Sequence, residues 1–479
     1  MEKILERIYN DLFDIKKDKD IEGLLERDII NLIFSLSDFK ENVDLKKVIE
    51  EQNENRIKNY INTDMEDSFF AEKETIHFTY PIQETLNRIE VLYKITGEEK
   101  WKGIFGFDFD SLCNFLVIII FRVLNFNYYK KARDNRFNSK YEKNYTLSLN
   151  CYLTFDEIVS FYRKPTEDIS RILELLSMDF YSQKEIKDAT RLLKLNEKYY
   201  IFFISDFLYN LYDILEEKIK DNYESKDKYY DKRGKAFELV CYEKLKEFFP
   251  DFDMYKKLNY KNEKGSHEID LVMKLKNTYV FFECKSSFFD IFKSNSDGKT
   301  YSNFKTAFGN GYKTINDVQK YIDNGNNVFY QNGFKDKIEF DFHKCKIVYI
   351  NLSLYNIEYL QTSVQKVINN PKKIIKIYPI CWNYIDFQSI IKLSQPELNL
   401  FEKYLNKRFR LINERKNLTF DIDEIDVWGF LTSEEYSNEF EKILAISEKG
   451  IDVNFLIKNG IYREQANAIL NKLFFEEIV

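Results

Sequence analysis

Asp270, Glu283 and Lys285 stand inside two apolar runs, "EIDLVM" and "YVFFECK", where a strand ordinarily carries Val, Ile or Thr. Residues two apart on a strand share a face, so Glu283 and Lys285 point the same way and Cys284 the other. A two-residue turn at Lys276-Asn277, where Asn tolerates the left-handed conformation, pairs Leu275 with Thr278. Counting outward then sets Asp270 opposite Glu283, with Cβ atoms about 4.5–5.5 Å apart. Two facing carboxylates repel and destabilise a sheet unless something offsets them. A divalent cation does so most simply. Mg²⁺ favours a site of one or two carboxylates completed by water and phosphate oxygens, and Mn²⁺ is the alternative. Lys285 cannot bind the metal, but its amine can hold or deprotonate an attacking water and steady a pentavalent phosphorus. The plain alternative is a solvated salt-bridge cluster on a sheet face. Both acids lie in strongly apolar strands, and that favours a site.

These residues need elements to position them. "GKAFELVCYEKLKEFFP", 234–250, predicts an amphipathic helix with Phe237, Cys241, Leu245 and Phe248 on one face and Pro250 ending it. Glu238 rides on that helix and supplies a third carboxylate if the helix packs over the sheet. Strand-like runs follow at 252–260, 268–275 and 278–285, then a Ser, Asn, Gly and Lys-rich loop over 286–312 and a helix over 312–324. The β-branched runs 345–353 and 373–382 predict buried strands. Helix, three strands, helix and one or two strands imply an α+β arrangement with a small sheet flanked by helices. Apolar residues at helical spacing make 1–225 largely helical, and 386–479 returns to that pattern. Residues 218–235 have the composition of a linker. The expected domains are therefore 1–225, 226–385 and 386–479.

The combination of Glu238 in a first helix, Asp270 in "EIDLV" and Glu283-Cys284-Lys285 in "ECK" resembles the PD-(D/E)xK nuclease superfamily, the restriction-endonuclease-like fold. The likeness covers roughly residues 230–350, with Ile269 where a Pro precedes the Asp in many members. It implies an αβββαβ core with a mixed sheet between helical flanks, and Mg²⁺-dependent (or Mn²⁺-dependent) hydrolysis of phosphodiester bonds. By the same likeness Asp270, Glu283, the Cys284 carbonyl and Glu238 are the metal ligands, and Lys285 stands near the nucleophile. Gln319 or Tyr321 would face the cleft from the next helix. The implied substrate is DNA, in a restriction or anti-phage setting. An RNA-cleaving nuclease, and a nucleic-acid-binding scaffold on a degenerate nuclease fold, are the alternatives.

The bulk composition sets bounds. With 479 residues, 44 % hydrophobic and 32 % charged, the chain can bury cores in two or three domains. Only 14 Gly and 6 Pro argue for long helices over an all-β sandwich. Six scattered cysteines without a CxxC pair, beside 3 histidines, exclude a zinc site and a disulfide framework. The charged amphipathic N-terminus is unlike a signal peptide, and the apolar run 112–126, interrupted by Asn114 and Arg122, is too short to cross a bilayer. A cytoplasmic location without a membrane partner is expected, and helical flanks leave room for a homo-oligomer. The net charge of −7 is unusual for a nucleic-acid binder, but residues 226–330 carry 19 Lys and Arg against 15 Asp and Glu. Lys293, Lys299 and Lys305 in the 286–312 loop can reach substrate phosphates, or simply be solvated. "SNSDGKT" at 294–300 lacks the first Gly of a P-loop. His267 is expected to face away from Asp270, and Glu268 to share its side. "YYKKARDNR", 128–136, reads as a charged helix end, and 455–474 as a helical hairpin.

Overall fold

In the computed structural model, residues 79–116, 118–119, 152–161, 166–179, 182, 191–195, 197–200, 204–287, 310–355, 362, 377–394, 398–414 and 424–432 are described. The chain divides into two compact units, Met1–Tyr229 and Tyr230–Val479. Both are mixed α and β.

The first unit holds helix α1 (Thr79–Phe105), which bends at Gly97, where φ is 69°. Strand β1 (Tyr152–Thr154) leads into α2 (Phe155–Phe161) and α3 (Thr166–Leu176). Strands β2 (Ser177–Asp179), β3 (Leu192–Leu195) and β4 (Lys198–Tyr200) precede α4 (Ile204–Lys220). The four strands form a sheet in the order β1-β4-β3-β2. Apolar spacing makes 1–225 largely helical, and this short sheet is an addition that the pattern does not show. Strands of three or four residues are too short for apolar alternation to register. Helix α4 packs on α1, and the Thr85 hydroxyl donates to the Leu208 carbonyl at 3.2 Å. Leu112, Phe115, Leu116 and Ile119 of the apolar run are buried. Among the described residues no helix is long and apolar enough to cross a membrane.

The expected linker 218–235 is largely helical. Helix α4 ends at Lys220 and α5 spans Lys226–Phe248. Ser225 caps the N-terminus of α5 by accepting the Lys228 N–H at 3.3 Å, and Asp227 complements the first turn. Charged pairs one turn apart, such as Lys235 with Asp231 at 2.7 Å, gave the segment its linker-like composition. Apolar positions at helical spacing bury Phe237, Val240, Cys241 and Leu245 on one face. Phe249, not Phe248, completes that face.

The second unit is organised by a seven-stranded sheet in the order β11-β10-β7-β6-β5-β8-β9. Its antiparallel centre is β5 (Asp253–Asn262), β6 (Gly265–Lys274) and β7 (Thr278–Lys285). Helix α6 (Asn310–Asp323) crosses over, the hairpin β8 (Val328–Gln331) and β9 (Asp336–Glu339) extends one edge, and β10 (Lys346–Ser353) pairs parallel with β7. Strand β11 (Ile380–Asn383) is the other edge and is parallel to β10. It is shorter than the expected run 373–382, because 377–379 are not strand and 373–376 lie outside the described residues. Helices α7 (Tyr384–Ser394), α8 (Leu398–Glu414) and α9 (Glu424–Thr432) follow within the same unit. They carry the helical pattern assigned from sequence to a separate domain beginning at 386, and both α7 and α8 lie against β10 and β11.

Alternation along β7 divides the packing. Tyr279 and Phe281 join Ile315, Val318 and Tyr321 of α6 in one core, while Phe282 meets Phe387 of α7 with ring centroids 6.4 Å apart. Every apolar residue of β7 is thus covered, and at its end the strand runs out of hydrophobic partners and into Glu283 and Lys285.

Candidate active site

The β6–β7 ladder runs from Lys274 opposite Tyr279 to Leu271 opposite Phe282. The Leu275 N–H donates to the Thr278 carbonyl at 2.8 Å, which gives the turn and register read from the sequence. The ladder stops one step short of Asp270 and Glu283. There the Asp270 carboxylate takes over, accepting the Cys284 N–H on Oδ2 at 2.6 Å. One oxygen of Asp270 is therefore held in place by the backbone of the neighbouring strand.

The strands are irregular at this point. Ile269 and Val272 both pack into the core beneath α6, three residues apart where regular alternation allows two. On β5, Tyr255 and Leu258 do the same around Lys257. The register that pairs Lys256 with Leu271 and Leu258 with Ile269 sets Lys257 opposite Asp270, and this step alone is missing from the ladder. Lys257 has φ of 54°, in the left-handed region. For a residue other than Gly or Asn this costs on the order of 1–2 kcal/mol. The pleat of both strands thus changes face at the residue that carries the candidate carboxylate, in the manner of irregularities that re-aim side chains beside active sites.

Glu283 is buried. Its Oε1 accepts from Lys285 Nζ at 2.6 Å, whereas Oε2 is buried without a hydrogen-bond partner among the described residues. Glu238, reaching in from α5, likewise has a buried Oε2 with no hydrogen bond, and Lys257 Nζ lies 3.8 Å from it. Burial first, and then the Asp270 charge, push the Glu283 carboxyl up to about 8. The same two causes push Glu238 up to about 7. Burial also raises Asp270, outweighing Lys285 and the Cys284 N–H. For Lys285 burial works against the charge, but the carboxylates of Glu283 and Asp270 outweigh it and hold the ammonium above its usual range. Three acids and one ammonium therefore share a poorly solvated volume, each acid made reluctant to ionise first by burial, with the Asp270 charge adding to it for Glu283 and Glu238.

Among the described residues, no three Asp, Glu, His or Cys side chains converge as a closed metal cage would. The ligand set expected from sequence (Asp270, Glu283, the Cys284 carbonyl and Glu238) is not assembled around one point. The residues nonetheless fit a hard cation of the Mg²⁺ kind, which needs only one or two carboxylates. Two orphaned carboxylate oxygens in a region of excess negative charge are what such an ion would satisfy. The Cys284 thiol bonds toward Cys241 of α5, on the side away from Lys285, so only its backbone can serve the site.

The other candidates divide. Gln319 is held at both ends: Oε1 accepts from the Tyr349 hydroxyl at 2.8 Å and Nε2 donates to Asp323 at 2.6 Å. Tyr321 is buried in the core, with its hydroxyl donating to the Val328 carbonyl at 2.7 Å. Tyr321 is thus used in packing α6 onto the sheet, while Gln319 is half-buried and tied to β10 through Tyr349. Lys293, Lys299, Lys305 and the 294–300 motif lie outside the described residues, as do 128–136 and 455–474. His267 stacks on Tyr260 and its Nε2 bonds Asn262 Oδ1 at 2.9 Å, an ordinary strand-end role. Glu268 is exposed, near enough to raise Glu238 and Asp270.

Two sets of neighbours escaped the sequence reading. Asn351 and Ser353 of β10 stand in parallel register with Glu283 and Lys285, and both are buried. Gly311 of α6 comes so close that a Cβ there would lie 2.8 Å from Asn351 Oδ1. Lys257 is the second addition. The signal for Asn351 and Ser353 was available: a polar pair at the end of the apolar strand "KIVYINLS". Lys257 gave none.

No protein-family model, curated protein or solved structure matches this chain.

Proposed function

We propose that the chain is a metal-dependent nuclease that hydrolyses phosphodiester bonds, with DNA as substrate, through Asp270, Glu283, Lys285 and Glu238. One observation carries the reading: buried Glu283 at the end of an otherwise apolar hairpin and half-buried Glu238 on α5 each have a buried oxygen that lacks a hydrogen-bond partner among the described residues, beside the tightly held Lys285 ammonium. A structural ion pair would be expected to satisfy those oxygens, since an unsatisfied buried acceptor costs about 1–3 kcal/mol. The arrangement of helix, three antiparallel strands, crossover helix and parallel strand is the order that the PD-(D/E)xK likeness implies, and it supports the reading without deciding substrate.

In this mechanism Asp270 and Glu283 would hold Mg²⁺ or Mn²⁺, with Glu238 as a further acid nearby. When bound, the cation supplies Lewis acidity toward a phosphate oxygen and cancels the repulsion between the carboxylates. Asp270 is pre-set for this by the Cys284 N–H, which fixes one of its oxygens and leaves the other for a ligand. Lys285 keeps its proton, because its neighbours Glu283 and Asp270 hold the ammonium above its usual range. It therefore acts as a charge: it orients a water for in-line attack and offsets the negative charge that builds on the phosphorus oxygens. The water oxygen bonds to phosphorus as the bond to the leaving sugar oxygen breaks.

The experiment is cleavage of plasmid, linear and single-stranded DNA and of RNA by the full chain, in Mg²⁺ and in EDTA. Lys285→Ala is expected to lower the cleavage rate by at least about 10²-fold, the scale of losing one transition-state donor. Cleavage that survives both EDTA and Lys285→Ala sinks the proposal. Cleavage of RNA alone changes the substrate class.

A further inference from the structure

We propose that Lys257 is an internal counter-ion of the acidic cluster, one that occupies the cation position beside Glu238 and gives way as a divalent cation arrives. This rests on the cation reading above. Four observations lead to it. Lys257 adopts φ of 54° in mid-strand, a conformation that Gly takes without steric penalty. A long cationic side chain kept there implies a use for the side chain.

Two carbonyls of the irregular backbone, moreover, are provided for. Asn259 Nδ2 donates to the Lys257 carbonyl at 3.0 Å, and Gln331 Nε2 to the Lys256 carbonyl at 3.2 Å. Two side-chain amides thus support the backbone at the kink. Its register sets Lys257 across from Asp270. Its Nζ lies 3.8 Å from Glu238 Oε2, an ion-pair distance too long for a hydrogen bond.

The two ammonium groups of the site differ in the way this role requires. Lys285 is largely buried and hydrogen-bonded to Glu283 at 2.6 Å. Lys257 has 45 % of its side chain exposed and is held only by charge. Lys285 stays when a cation binds, whereas Lys257 can swing into solvent at little loss. With three carboxylates against Lys285 alone, the cluster is short of positive charge. Lys257 supplies part of it until the metal does.

The test is Mg²⁺ binding to the full chain by titration calorimetry at about pH 9, above the range into which Glu238 and Glu283 are pushed, so that protons do not compete. Lys257→Met should bind Mg²⁺ roughly three- to tenfold more tightly than the wild type, the scale of a partly exposed ion pair. Lys257→Arg keeps the charge and should leave affinity near the wild-type value. Lys257→Gly relieves the backbone and removes the charge, so it should match Lys257→Met. Unchanged affinity in Lys257→Met, with Mg²⁺ still bound by the wild type, overturns the counter-ion role and leaves the cation reading standing. Tightening by Gly but not by Met points to backbone strain and overturns it as well. If neither wild type nor Lys257→Met binds Mg²⁺, the cation reading itself falls and takes this inference with it.

Discussion

Arg408 and Glu424 form one buried ionic cluster of the second unit; Glu238, Asp270, Glu283 and Lys285 form the other. Both sides of the Arg408–Glu424 pair are fully buried. Arg408 Nε donates to Glu424 Oε1 at 2.6 Å and its Nη2 to Oε2 at 2.9 Å, with a further bond to the Thr362 carbonyl at 3.1 Å. The Tyr404 hydroxyl donates to the same carboxylate and accepts from Trp382 Nε1. One cation meets one anion, and both carboxylate oxygens are bonded. In the other cluster three acids share one firmly bound ammonium, two oxygens lack partners, and the acids are pushed toward neutrality. In the first arrangement both carboxylate oxygens are met by donors of the chain itself. In the second, two carboxylate oxygens have no hydrogen-bond partner among the described residues, and the proposed cation is what would meet them.

The contrast can be broken by mutation, and the largest effect belongs to the satisfied pair. Arg408→Met strands Glu424 without its main donor inside the core. It should lose about 3–5 kcal/mol in urea unfolding of the full chain. Glu283→Gln, in the unsatisfied cluster, removes repulsion and should leave stability unchanged or higher at about pH 9. If Glu283→Gln costs as much as Arg408→Met, the two clusters are alike and the acidic one is structural.

A second expectation sharpens the comparison through pH. Glu283 and Glu238 titrate near about 8 and about 7 in the folded chain, above the ordinary glutamate value of 4.5. Between the ordinary and the raised values the folded state binds more protons than the unfolded state, so stability falls as pH rises through that window. The decline should amount to a few kcal/mol in order of magnitude and level off above about pH 8. Saturating Mg²⁺ should reverse much of it, by about 2.7 kcal/mol at a hundredfold excess over Kd, since a ligand of the folded state stabilises by mass action. Thermal melts from pH 5 to 9, with Mg²⁺ or EDTA, measure both. A flat profile without metal contradicts the mutual destabilisation of the acids.

Much of this site was legible because β7 is two-periodic and strongly apolar. "YVFFECK" leaves no doubt where the strand lies, and one turn at Lys276-Asn277 fixes the register to Asp270. Glu238 was legible for the same reason on a helix. Other features were hidden by physics the pattern does not carry. The pleat change at Asp270 and Lys257 leaves composition untouched, since a Lys at positive φ looks like any exposed strand Lys. Tyr321 has the spacing of a cleft residue, yet its ring faces Tyr260 and Phe329, so its type alone misled. The β8–β9 hairpin had a readable signal, Asn332-Gly333 with both residues at positive φ between short alternating runs, and was passed over. The sheet of the first unit was harder to read, because its strands pair over three residues each, and although β3 and β4 are neighbours in sequence, β1 pairs with β4 across an intervening stretch of helix and strand.

The smallest effect tests how far the acidic cluster extends into β10. Asn351 stands in register with Glu283 and is buried, and Gly311 at the start of α6 leaves its amide room. Gly311→Ala would set a Cβ 2.8 Å from Asn351 Oδ1, closer than real Cβ atoms come, so the amide must turn or the helix must shift. Alanine also favours the helix by about 1 kcal/mol over glycine, which offsets much of the crowding in overall stability. The variant should therefore unfold within about 1 kcal/mol of the wild type. Its Mg²⁺ affinity or cleavage rate should fall several-fold, because the neighbour of Glu283 has moved. Equal loss of stability and no change at the site would confine Asn351 to packing, and the polar cluster would then end at β7.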